Sequence, residues 1–152
     1  MHLASYIGLL DQGSQTLADS FRQVAQGHRE EADVFHICEQ LATQCDRHRE
    51  ALAPVVARYG EAQEGEPERL HAEGLSTTRS GGLGLLRDLH DLYMLASYLD
   101  IAWTLVGQAG RAARDQELIE IVADCEGQTS SQLSWLKTRL KQAAPQALIV
   151  AS

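Results

Sequence analysis

Residues 34–55, VFHICEQLATQCDRHREALAPV, carry the most regular pattern in this chain. Val34, Cys38, Leu41, Cys45, His48, Leu52 and Val55 follow one another at alternating steps of four and three. That spacing holds them on one narrow stripe of an α-helix, the kind of seam on which bundles and coiled coils are built. Glu39, Asp46, Arg47 and Glu50 fill the opposite side. Two thiols and an imidazole thus occupy seam positions that a plain bundle would give to Leu or Ile.

Outward from this stretch the helical pattern repeats. A first helix is expected over about residues 4–26, with Leu3, Tyr6, Leu10, Leu17, Phe21 and Val24 as its apolar stripe and Gly13-Ser14 as a small, polar break. Gly27 ends it, and the short link beyond requires an antiparallel hairpin with the second helix, about 29–59. Pro54 should kink the last turns of that helix or start a short final segment. A third helix, about 83–109, is striped by Leu85, Leu89, Leu92, Ala96, Leu99, Trp103 and Val106. A fourth, about 115–142, is striped by Leu118, Val122, Cys125, Thr129, Gln132 or Leu133, Leu136 and Leu140, and Pro145 should terminate it. The apolar tail Ala147-Leu148-Ile149-Val150 is expected to add to the same core.

One connection is long. Residues 60–82 interleave Glu61, Glu64, Glu66, Glu68 and Glu73 with Gly65, Pro67 and Gly74, a composition typical of a solvated acidic loop. About twenty residues reach ~60 Å when extended, against ~40 Å for a helix of this length. The connection can therefore travel the full height of a bundle, with a helical turn possible at Pro67–Ala72. The fold class predicted is all-α: one four-helix domain over residues 1–152, with a single long crossover between helices two and three.

Composition narrows the partners. The chain has 152 residues, 44% apolar and 22% charged, with a formal net charge of −8. An acidic balance argues against a nucleic-acid surface and against an anionic membrane, both of which require clustered Lys and Arg. No uncharged apolar run is long enough to span a bilayer. Three cysteines without a CxxC pair, and an N-terminus lacking a basic region before an apolar core, fit a reduced, cytoplasmic protein. Helix three carries a second apolar face, Met94, Tyr98, Ile101 and Leu105. A small bundle cannot bury both faces, so this one is expected to form a homodimer contact.

Counting along the helices brings Cys45, His48, Asp100 and Cys125 to one level. Two readings stand. The four are suitable ligands for a single zinc or iron ion; alternatively the thiols are small core hydrophobes, with His48 satisfied by Asp100. His36 with Glu39 or Gln40, and His90 with Asp88 and Asp91, fall off the stripes and read as surface groups. Trp103 and Trp135 read as core or interface aromatics, and Gly13, Ser14 and Ala96 form a layer small enough for a ligand.

The order of helices resembles the ferritin-like family. The likeness is topological and spans nearly the whole chain. That family places a Glu on the first helix, Glu-x-x-His on the second, Glu on the third and Glu-x-x-His on the fourth. Here the first helix offers Gly13-Ser14, the second Cys45-x-x-His48, the third Asp100, and the fourth Glu126-Gly127-Gln128-Thr129. The resemblance implies di-iron oxidase or ferroxidase chemistry only where bridging carboxylates and two imidazoles are present. With that set incomplete, the expectation is a non-catalytic homodimeric binding or scaffold protein, or else a metalloprotein holding a single ion.

Overall fold

The computed structural model of the chain describes residues 2–60, 74, 75 and 77–150. Four helices account for most of them: α1 Leu3–Gly27, α2 Ala32–Tyr59, α3 Gly81–Ala113 and α4 Gln116–Pro145. A π-helical turn, Gln146–Val150, follows α4 directly. No strand occurs among the described residues, and none of their helices is long and apolar enough to cross a membrane. Residues 61–73 and 76 of the acidic connection, including the turn expected at Pro67–Ala72, lie outside the described residues.

The periodic stripes became the core because a helix repeating every 3.6 residues turns those positions to one side. On α2 every residue of the opening seam is buried, Cys38 and Leu52 completely. The α3 stripe is buried from Leu85 to Val106, and the α4 stripe from Leu118 to Leu136, where Gln132 rather than Leu133 takes the inward position.

Polar contacts fix the sense of each helix. Arg22 reaches Asp46, and Arg49 reaches Asp11, so α1 and α2 are antiparallel. Arg58 near the end of α2 meets Asp115 and Glu117 at the start of α4, while Arg139 near the end of α4 meets Glu31 and Asp33 at the start of α2. His28, in the link between α1 and α2, bonds Asp88 in the first turns of α3. Helices α2 and α3 therefore begin at the same end of the bundle and run in the same direction.

Several element ends differ from expectation, each for a local reason. Helix α3 continues through Gly107 and Gly110 to Ala113, because those glycines are where α4 comes closest: a Cβ on Gly107 would lie 3.0 Å from Val122, and one on Gly110 3.3 Å from Leu118. Arg114, at φ 56°, closes α3 in the left-handed conformation. Pro54 lies within an unbroken α2. Pro145 ends α4 without reversing the chain, and of the tail only Ala147 is buried; Leu148, Ile149 and Val150 face outward.

Candidate functional site

The middle of the bundle carries buried polar side chains from several helices. From α2, Cys45 and His48 point inward; from α3, Trp103; from α4, Cys125, Thr129 and Gln132; from α1, Ser14. Each is buried because its place in the 3.6-residue repeat leaves it no other direction.

Their bonding departs from the expected layer. His48 Nε2 lies 2.7 Å from Gln128 Oε1, so the imidazole donates to an amide on α4 rather than to Asp100. The ring stands edge-on to Trp103, with centroids 5.8 Å apart. Burial holds the His48 pKa below its ordinary value, and the bond to Gln128 only partly opposes this. Gln132 Nε2 donates to Gln44 Oε1 at 3.0 Å and approaches Cys45 Sγ at 3.7 Å. Thr129 donates its hydroxyl back to the Cys125 carbonyl. The α2–α4 seam is thus closed by amides and an imidazole between salt-bridged ends.

Asp100 sits half-buried against α4 instead. Desolvation first, and then the nearby Glu126 carboxylate, raise its pKa above the usual carboxylate value. Glu126 is bonded by the Thr104 hydroxyl. Among the described residues no three His, Cys, Asp or Glu side chains stand close enough to hold a metal ion. Cys45, His48, Asp100 and Cys125 therefore do not meet as one ligand set. Burial also pushes the Cys38, Cys45 and Cys125 thiols up to about 12, so without a metal they are protonated core groups.

Two buried atoms of the layer have no hydrogen-bond partner among the described residues: Ser14 Oγ and Gln132 Oε1. The space beside Gly13 is taken up from within the chain, since a Cβ there would lie 2.5 Å from Leu99 Cδ2. The small residues of α1 thus admit a core leucine where a ligand layer was expected.

A second polar cluster escaped the sequence reading. Asp88, read there as a surface group, is fully buried, and His28 is 2% exposed. Asp88 Oδ2 accepts from His28 Nε2 at 2.7 Å and from the Arg79 backbone N–H at 2.9 Å. Its Oδ1 accepts from Arg79 Nη1 at 2.7 Å, and the same nitrogen bonds Asp91. Asp88 stands three residues after Leu85 and four before Leu92, so the spacing rule that found the α3 stripe admits it as well. His36 and His90 are exposed, as expected; Trp103 is core and Trp135 half-buried.

Fold and site together define an all-α four-helix bundle with a polar middle layer. Set beside known proteins, the chain matches no family model, and neither a curated protein nor a solved structure matches it.

Proposed function

We propose that the chain is a ferritin-like bundle without a complete di-iron centre, acting as a non-catalytic, homodimeric binding or scaffold protein. The observation that carries this reading is the content of the middle layer. Where the family sets bridging carboxylates and imidazoles, this chain sets protonated thiols, glutamine amides, an indole and a histidine bonded to Gln128. The shared direction of α2 and α3, inferred from the His28–Asp88 and Arg58–Asp115 contacts, supports the kinship. The outward apolar face of α3 supports the dimer.

Elemental analysis of protein purified without chelator or nickel tests the non-metal half, together with light scattering on the same sample for the dimer half. Less than about 0.1 equivalent of any transition metal is expected, because among the described residues no three His, Cys, Asp or Glu side chains stand together to hold one. Stoichiometric zinc or iron would overturn the reading in favour of a metalloprotein.

A further inference from the structure

We infer that two copies of this chain pair through α3 laid antiparallel on itself, with the twofold axis passing between Tyr98 and Ile101. The inference rests on the homodimeric reading above and names its geometry. Met94, Tyr98, Ile101 and Leu105 are 61%, 37%, 54% and 48% exposed and form a single row along the helix. Their steps of four, three and four read the same in both directions. Reversal therefore sets Met94 opposite Leu105 of the partner subunit and Tyr98 opposite Ile101 of the partner subunit, each knob facing a side chain of the same row.

Charge supports a second copy as the occupant. Between Asp91 and Arg111 the only charged residue of α3 is Asp100, which the 3.6-residue repeat sets about a third of a turn off the row. A chain of net charge −8 repels its own copies almost everywhere else. A face without carboxylates is where self-association meets least repulsion, and loss of charge is the compositional mark of an interface centre.

Shape selects the antiparallel arrangement. An apolar groove of about 310 Å³ opens beside Leu105, lined by His2, Leu3, Tyr6, Val106 and Ala109. Antiparallel pairing delivers the partner's Met94, the most exposed and most flexible member of the row, to the mouth of that groove twice over. A parallel pair would stack like on like and bring a leucine, branched and less extended than Met94, to each groove. Opposed helix dipoles also favour the antiparallel form.

Oxidative cross-linking reads the geometry directly. Met94→Cys mixed with Leu105→Cys is expected to give a disulfide-linked dimer, and neither variant alone should. The native thiols, at most 3% exposed, do not compete. Ile101→Glu is expected to convert the dimer to a monomer in light scattering, with circular dichroism confirming unchanged helix content. Cross-linking of Met94→Cys by itself, or a dimer that survives Ile101→Glu, would overturn the arrangement while leaving a homodimer standing. A wild-type chain that is monomeric across the whole concentration range would overturn the arrangement and the homodimeric reading together.

Discussion

His28 and Asp88, sixty residues apart in the chain, face each other at 2.7 Å inside the base of the bundle, with 2% and 0% of their side chains exposed. Three hydrogen bonds from His28 and Arg79 converge on the Asp88 carboxylate. They join the α1–α2 link, the strand of chain entering α3 and α3 itself. A buried carboxylate is tolerable only when so completely satisfied.

Removing one member of that cluster should cost far more than a surface ion pair. Asp88→Ala would leave the His28 ring and the Arg79 backbone N–H without their acceptor, a loss of about 3–5 kcal/mol for a broken buried pair. Breaking the half-exposed Arg22–Asp46 pair with Asp46→Ala should cost ~0–1 kcal/mol. Urea denaturation of both variants checks the contrast; equal, small losses would mean that the cluster contributes little to holding the base together.

His48 is expected to make stability depend on pH. Its pKa in the folded chain lies below the ordinary 6.5, so on acidification the unfolded chain takes up the proton first. The His48 contribution is fully present above about 6.5 and is lost as pH falls through the lower folded value. His48→Leu should abolish that part of the slope. It should also change stability at neutral pH by less than about 1 kcal/mol, because the exposed Gln128 amide it abandons can turn to water. Thermal melts of wild type and variant between mildly acidic and neutral pH, compared as differences, isolate the effect from the other histidines.

These two sites show what a linear pattern conveys. The seam from Val34 to Val55 was legible residue by residue, because a 3.6-residue period decides which side of a helix faces inward. The length of the connection before α3 allowed a parallel α2 and α3 without requiring it; the contacts of His28 with Asp88 supply the direction. Bonding partners were not legible: periodicity places His48 in the core but does not say whether it meets Asp100 on α3 or Gln128 on α4. Asp88 was misread for a related reason. A charged side chain among Arg87, His90 and Asp91 looks solvated until the chain folding back at Arg79 supplies its donors.

Ser14 offers a test of the middle layer itself. Its hydroxyl is buried to 1% exposure and has no hydrogen-bond partner among the described residues. Ser14→Ala removes the polar atom and little volume, and alanine is the better helix former. A gain of about 1 kcal/mol is expected from an unsatisfied group relieved in this way. Loss of stability on the same substitution would show that the hydroxyl is satisfied in solution, for instance by a bridging water, and that the layer is wetter than its protein contacts indicate.

Asp100 should show the opposite sign of pH dependence from His48. Its pKa is raised above 3.8, chiefly by burial and then by the Glu126 carboxylate facing it from α4. In the window just above 3.8 the folded chain keeps a proton that the unfolded chain has released, so stability falls as pH rises through that window. At neutral pH the charged Asp100 therefore works against folding. Asp100→Asn should raise stability there by on the order of 0.5 kcal/mol, the scale of a partly solvated like-charge pair. The gain should vanish below about 3.8, where Asp100 itself is protonated in the folded and the unfolded chain and the asparagine has nothing left to relieve. Glu126→Gln should reproduce part of the gain, since the amide oxygen can still accept from Thr104 while the charge is gone. Guanidinium denaturation is unsuitable because it screens the repulsion, so the comparison belongs in urea or in thermal melts at low ionic strength. A destabilised Asp100→Asn at neutral pH would place a cationic partner beside that carboxylate and reverse the electrostatics of the α3–α4 face.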